Sequence, residues 1–208
     1  MLPIETLATF FAASILLALA PGQDNIFVLT QSALRGKASG LVVTLGLCTG
    51  LIVHTTAVAL GVAVIFQASA LAFIALKLFG AGYLLYLAWQ AFSASATKIA
   101  AARNGELTLG RLYRRGILMN ITNPKVSIFF LAFLPQFADP ARGSLTLQLL
   151  LLGGVFILAT ILVFGGIALL AGTLGEWLNR SEKSQRILNR VAGSVFVGLA
   201  LKLATTER

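Results

Sequence analysis

Two short polar stretches interrupt long apolar runs, and each carries residues that could bind a small charged molecule. The first is Pro21-Gly22-Gln23-Asp24-Asn25 and the second is Asn123-Pro124-Lys125. Proline lacks an N–H group and its ring obstructs the preceding turn, so Pro21-Gly22 and Pro124 predict breaks in two helices. A carboxylate and an ammonium group beside these breaks are costly within an apolar environment, which indicates a binding or pairing role.

The composition identifies the environment of these stretches. Of the 208 residues, 58% are hydrophobic and 11% are charged, whereas a soluble domain carries about 25% charged residues. The apolar segments are long and do not alternate, which indicates an integral membrane protein made of helices rather than barrel strands. One histidine and one cysteine exclude a Cys/His metal cluster, so no metal site and no cofactor are predicted. Cys48 is interpreted as a packed side chain.

Hydropathy predicts six spans, and the basic residues between them predict an orientation. The spans cover 4–34, 39–66, 70–92, 115–138, 145–174 and 187–204, and the first and fourth are interrupted. The net charge of +9 comes mostly from the loops between spans 1 and 2, 3 and 4, and 5 and 6. Basic loops remain in the cytoplasm, so both termini are predicted on the non-cytoplasmic side. This distribution explains the charge without nucleic-acid binding.

The chain divides into two similar halves. Residues 1–92 and 113–208 each hold three spans, and a polar linker at 93–112 joins them. LKLFGAGYLLYLAWQAF (76–92) aligns without gaps to LNRVAGSVFVGLALKLA (188–204). Because each half has an odd number of spans, the second half enters the membrane from the opposite side and is inverted relative to the first. The predicted fold is therefore an all-α membrane domain of two inverted three-helix repeats, each with a broken first helix.

The breaks are predicted to meet near the middle of the membrane. Asp24 lies eleven residues from Arg35, and Asn123 eight residues from Arg115, which at about 1.5 Å per residue places them roughly 16 and 12 Å inward. Asn123 reads as an N-cap residue before proline at the first helical position. Gln23, Asp24 and Asn25 are expected to cap the helix after the first break. Two positive helix ends would then converge on one point.

These arguments select the candidate site residues and leave alternatives beside them. The predicted substrate-binding residues are Gln23, Asp24, Asn25, Asn123 and Lys125, and the predicted proton-coupling residues are Asp24 and His54. Asp24 could instead form a structural cap or an ion pair with Lys125, Lys125 could snorkel toward the cytoplasm, and His54 could be a satisfied core residue. Weaker candidates have structural interpretations: an interfacial anchor for Lys77, packing and belt residues for Tyr83, Tyr86 and Trp89, and close helix packing for Gly46 and Gly50.

At these residues the chain resembles the LysE/RhtB family of amino-acid exporters over nearly its whole length. The resemblance is carried by APGQDNIFVLTQSALRGKASG (20–40), NPKVSIFFLAFLPQF (123–137) and GAGYLLYLAWQAF (80–92). The family pattern usually reads Pro-Gly-Pro-Asp, and here Gln23 replaces the second proline.

The resemblance implies a transporter and not an enzyme. It implies proton-coupled efflux of neutral or basic amino acids or close derivatives, such as threonine, homoserine, homoserine lactone or lysine, across the inner membrane of a bacterium. Protons, membrane lipid and the substrate are the implied partners, and a homodimer is compatible with so small a bundle. Two alternatives are a divalent-cation exporter, with oxygen ligands from Gln23, Asp24 and Asn25, and a lipid-modifying enzyme that uses Asp24 and His54.

Overall fold

Helices make up the described part of the chain. The structure, a computed structural model, describes residues 2–68, 70–94, 108–173 and 182–205, and these ranges contain no strand. Helices α1 to α5 span Ile4–Leu19, Gln23–Arg35, Lys37–Ala68, Ala70–Ser93 and Leu109–Ile121. Helix α6 (Pro124–Ile128) continues as a π-helical turn (Phe129–Phe133) and a 3-10 turn (Leu134–Phe137), and a second 3-10 turn covers Pro140–Arg142. Helices α7 and α8 span Leu145–Leu169 and Glu182–Thr205.

The helices match the predicted membrane spans. Helices α3, α4, α7 and α8 each contain an apolar stretch of 20 to 25 residues, long enough to cross a membrane. The remaining helices form two bent pairs: α1 and α2 meet at 63°, and α5 meets the segment Pro124–Phe137 at 49°. With each bent pair counted as one span, the described residues provide the six crossings predicted from hydropathy. The fourth span ends at Phe137, just before Asp139-Pro140 as predicted.

The fourth span begins earlier than its hydropathy indicates. Helix α5 starts at Leu109 rather than near residue 115, and it includes Arg111, Arg114 and Arg115. Arginine is a good helix former, so the charges lower the hydropathy without ending the helix. The guanidinium carbon of Arg115 also lies 4.7 Å from the centre of the Phe27 ring, a contact that holds it against α2. Residues 95–107 of the predicted linker lie outside the described residues.

Helices of each half pack mainly against helices of the other half. Helix α1, from the first broken span, packs against α7, and α5, from the second broken span, packs against α3. The unbroken helices pair across the halves as well, α3 with α7 and α4 with α8. Such packing is compatible with the predicted inverted repeat, which itself stays a prediction. Residues of both halves contribute to each of the two buried apolar clusters.

Glycines allow α3 and α5 to touch through their backbones. A Cβ atom added to Gly46 would lie 2.3 Å from the carbonyl oxygen of Tyr113, and one added to Gly116 would lie 2.6 Å from the carbonyl oxygen of Val43. A Cβ on Gly50 would lie 2.7 Å from the Cβ of Asn120. Close packing is therefore the role of the Gly46 and Gly50 pair, and it places the end of α5 firmly beside α3.

A phenylalanine cluster fills the core between α1, α7 and the segment after the second break. Its members are Phe10, Phe129, Phe130, Phe133, Phe137 and Phe156, and all are buried. Their ring centres lie 4.7–6.3 Å apart, in tilted or edge-on arrangements that aromatic rings prefer. The π-helical turn supplies Phe129, Phe130 and Phe133.

We expect Gly46→Ala to lower stability because its new methyl group would push against backbone atoms that cannot rotate away. Overpacking of this kind costs about 1–3 kcal/mol. The measurement is the midpoint of thermal unfolding in detergent. Gly61→Ala is the matched control on the same helix, because a Cβ there meets nothing within 4 Å. Equal midpoints for both variants would contradict the proposed contact between α3 and α5.

Candidate functional site

The first break separates α1 from α2 at Ala20-Pro21-Gly22. Gly22 occupies the N-cap position of α2 with an extended backbone (φ −169°), and α2 receives no side-chain cap. The expectation that Gln23, Asp24 and Asn25 cap α2 is therefore wrong. Asn25 turns back instead, and its Nδ2 donates to the carbonyl oxygen of Ala18 at 2.7 Å. The last carbonyl groups of α1 lack intrahelical partners, and the Nδ2 donor of Asn25 satisfies one of them.

The second break has the geometry that its sequence predicts. Asn123 is the N-cap residue of α6, and Pro124 is the first helical residue. The Asn123 Oδ1 atom accepts a hydrogen bond from the Lys125 backbone N–H at 3.0 Å. This capping leaves the Asn123 amide nitrogen available to another partner.

The two breaks touch each other in the interior of the bundle. The Nδ2 atom of Asn123 donates to Asp24 Oδ2 at 2.9 Å. Asp24 is 3% exposed, Asn123 4% and Ala20 2%. The contacting side chains of Asp24 and Asn123 therefore lie in the interior, whereas Gln23 and Pro124 beside them are exposed.

Each break also closes the helix end that the other break leaves open. The Lys125 Nζ atom donates to the carbonyl oxygens of Ala20 at 3.0 Å and Leu17 at 3.4 Å, at the end of α1. In return, Gln23 Nε2 donates to the carbonyl oxygen of Met119 at 3.4 Å, near the end of α5. The positive charge of Lys125 suits the negative end of a helix dipole.

The lack of room for a side chain beside Lys125 explains why position 22 of the first break is a glycine. The extended backbone of Gly22 is available to any residue, but a Cβ atom there would lie 3.1 Å from Lys125 Nζ. A larger residue would therefore displace the ammonium group from the end of α1. Lys125 forms no ion pair within 4 Å with Asp24 among the described residues. The direct pairing of these charges, one alternative from the sequence, is absent because Asn123 binds the carboxylate and α1 binds the ammonium.

His54 reaches the second break from α3. Its Nε2 atom lies 3.1 Å from the carbonyl oxygen of Asn120, and its ring centre lies 5.6 Å from that of Phe130. A carbonyl oxygen only accepts hydrogen bonds, so the Nε2 atom carries a hydrogen. This contact supports the interpretation of His54 as a satisfied core residue, and its role in proton coupling stays a prediction.

Three acceptor oxygens at the breaks remain without a donor. Asp24 Oδ1, Asn25 Oδ1 and Asn120 Oδ1 are buried, and none accepts a hydrogen bond from the described residues. A buried acceptor without a partner is destabilising, by about 1–3 kcal/mol. An ammonium group has three N–H donors, so its chemistry complements the open carboxylate oxygen of Asp24.

Asn120 is the residue that the sequence reasoning missed. It lies one turn before Asn123, on α5, and is buried in the same region. The sequence did contain an indication of its role, because an amide side chain within an apolar run (GILMNI, 116–121) is unusual in a membrane span. The weaker candidates lie elsewhere: Lys77 Nζ donates to the Ala204 carbonyl oxygen at 3.4 Å, and the Trp89 side chain is 63% exposed on α4.

Comparison with known proteins identifies the family. The model of the LysE type translocator family matches residues 15–207. The homoserine/homoserine lactone efflux protein of Salmonella typhimurium is 35% identical over 198 residues, which cover 95% of each chain. An uncharacterized membrane protein of Vibrio cholerae is 32% identical over 204 residues and 98% of each chain. The leucine efflux protein of Salmonella choleraesuis is 26% identical over 200 residues, 96% of this chain and 94% of that protein.

No solved structure matches this chain. The family model covers nearly the whole sequence and includes both breaks, and the resemblance seen in the sequence is confirmed. The chain belongs to the LysE type translocator family, and it is a membrane transporter and not an enzyme.

Proposed function

We propose that this protein exports amino acids or their close derivatives from the bacterial cytoplasm across the inner membrane, in exchange for protons. The observation that carries the proposal is the buried Asp24 carboxylate, which lies where the two breaks touch and has one oxygen that accepts no hydrogen bond from the described residues. Intramembrane carboxylates of this kind mark substrate and proton pathways in transporters. Broken helices that meet at the midplane are a recurrent way to build such a site.

The α-ammonium group is the part of the substrate that Asp24 recognises in this proposal. The relatives are named for efflux of leucine, homoserine and homoserine lactone. These compounds share an α-ammonium group, whereas the lactone has no free carboxylate. Recognition through the ammonium therefore accommodates all three. Gln23, Asn25 and Asn123 border the carboxylate and complete the proposed site.

Lys125 is assigned the carboxylate of those substrates that have one. Its Nζ atom is held by two carbonyl oxygens of α1, and an ammonium group has a third donor. A substrate that bridges Asp24 and Lys125 would bring its two charges to the two breaks at once. Asn123 contacts both residues, because its Nδ2 donates to Asp24 Oδ2 and its Oδ1 accepts from the Lys125 backbone N–H.

Competition for Asp24 couples the substrate to the proton. One carboxylate is neutralised either by a proton or by an ammonium group, and a charged group within the membrane is costly. An Asp24 that releases the substrate outward is protonated there and returns neutral to the cytoplasmic side. His54, on the far side of the second break, is the proposed relay for that proton.

The alternatives have less support. Family membership identifies a transporter, so the lipid-modifying enzyme is set aside. A divalent-cation exporter needs several hard oxygen ligands, and the described residues contain no group of three His, Cys, Asp or Glu side chains that could hold a metal ion. A homodimer stays a prediction.

We expect Asp24→Asn to abolish proton-driven export. The variant keeps an acceptor for Asn123 but loses the charge that binds both the ammonium and the proton. Loss of a hydrogen bond to a charged group costs about 1.5–3 kcal/mol, or roughly 10- to 100-fold in affinity. The assay is export of labelled leucine and homoserine from proteoliposomes with an imposed pH gradient. Glu106→Gln, which also replaces a carboxylate by an amide but in the predicted linker, is the control. Undiminished export by Asp24→Asn would reject the assignment.

Substrate derivatives test the ammonium assignment directly. We expect leucine amide and homoserine lactone to compete with leucine for export, because both keep the ammonium group. N-acetyl-leucine lacks that charge and should not compete at comparable concentration. Competition by N-acetyl-leucine, or by a divalent cation alone, would contradict recognition through Asp24.

Lys125→Gln should separate substrates by their carboxylate. The variant keeps an amide donor for α1 but loses the positive charge, so we expect the KM for leucine to rise about tenfold while that for leucine amide changes little. Lys37→Gln, at the exposed start of α3, is the matched control. An equal loss for both substrates would show that Lys125 acts only by supporting α1.

A further inference from the structure

An open cleft lies at the end of the molecule where α1 begins. It encloses about 430 Å³ between the first turns of α1, the end of the fourth span and the last turn of α8. This volume lies within the range of small-molecule sites, which is about 300–1,000 Å³. Its walls include Thr6, Thr9 and Gln136, whose side chains offer neutral donors and acceptors.

The cleft contains charges of both signs. Asp139 and Arg142 form an ion pair with each other at 2.9 Å. Glu5 projects from the first turn of α1, and its carboxylate forms no ion pair among the described residues. Lys202 also lines the cleft, and its Nζ atom is 4.4 Å from the centre of the Phe137 ring. The ring holds the ammonium in place by a cation–π contact.

The phenylalanine cluster extends from the floor of this cleft to the breaks. Phe137 lines the cleft and packs on Phe133 at 5.1 Å, and Phe133 packs on Phe129 at 4.7 Å. Phe129 contacts Phe130 at 6.3 Å, and Phe130 contacts His54 beside the second break at 5.6 Å. The phenylalanine rings are buried and in contact with one another, so the cluster separates the cleft from the Asp24 region in this structure.

We propose that this cleft is a second binding site for the exported zwitterion, with Glu5 receiving the ammonium group and Lys202 the carboxylate. The inference rests on the proposed function and on the predicted orientation, which places the start of α1 on the non-cytoplasmic side. A substrate released on that side would meet a carboxylate and an ammonium group in the cleft, as it does at Asp24 and Lys125 in the proposed function. The cleft is solvated, which weakens its ion pairs, and weak binding suits a site from which the substrate must leave.

Cysteine labelling from outside tests the cleft without relying on export. Thr6→Cys, in a Cys48→Ala background, places a thiol in the cleft wall, and Ala141→Cys places one outside the cleft at the same end of the molecule. We expect external leucine to slow the reaction of Thr6→Cys with a membrane-impermeant maleimide in sealed vesicles, and to leave Ala141→Cys unaffected. Glu5→Gln or Lys202→Gln should raise the leucine concentration for half-maximal protection about tenfold.

The same labelling separates this inference from the proposed function. Protection of Thr6→Cys should persist when Asp24→Asn is added, because the cleft binds leucine independently of the inner site. Protection that requires Asp24 but not Glu5 and Lys202 would reflect a change transmitted from the inner site and would overturn the proposal. So would the absence of labelling from outside, or equal protection of Ala141→Cys. Export that depends on Asp24 would leave the proposed function standing in each of these cases.

Discussion

The structure depends on how it satisfies broken helix ends where water is scarce. Two helices stop in the interior of the bundle, and each leaves carbonyl groups without intrahelical partners. The chain supplies those partners crosswise: Lys125 from the second break serves α1, and Gln23 from the first break serves α5. The Asn123–Asp24 hydrogen bond joins the two arrangements. Removal of either break would leave the other with unsatisfied groups, so the two are structurally interdependent.

In this arrangement, proposed ligand-binding residues also stabilise the ends of the broken helices. In the proposed mechanism, the Lys125 ammonium that reads a substrate carboxylate is the same group that holds the end of α1. A carboxylate is a stronger acceptor than a backbone carbonyl, so an arriving substrate would compete with α1 for this side chain. Binding would then alter the restraint on α1, which also contributes Glu5 to the cleft. Binding of a substrate carboxylate and the position of α1 would thus be linked through the Lys125 ammonium group.

Much of this arrangement could be predicted from the sequence, and the exceptions have physical reasons. Pro21, Pro124 and the N-cap residue Asn123 act through local backbone chemistry, so their effects were visible in the sequence. The cap of α2 was predicted wrongly because the choice between two open helix ends depends on which lies closer in space. The partner of Lys125 and the contribution of Asn120 depend on packing between distant segments, which local patterns do not encode. The early start of α5 was missed because its arginines lower the hydropathy although arginine favours helix.

The glycine contacts between α3 and α5 constrain any rocking motion of this transporter. Gly46 and Gly116 bring backbone against backbone, where no rotamer change can absorb sliding. The two helices therefore behave as a single rigid strut, although they belong to different halves of the chain. Relative movement would have to occur at other positions, and the helix breaks at Thr122-Asn123 and Pro21-Gly22 are the candidates. Hinges at these breaks would lie beside Asp24 and Lys125, so that a bound ion or zwitterion would sit at the axis of the movement.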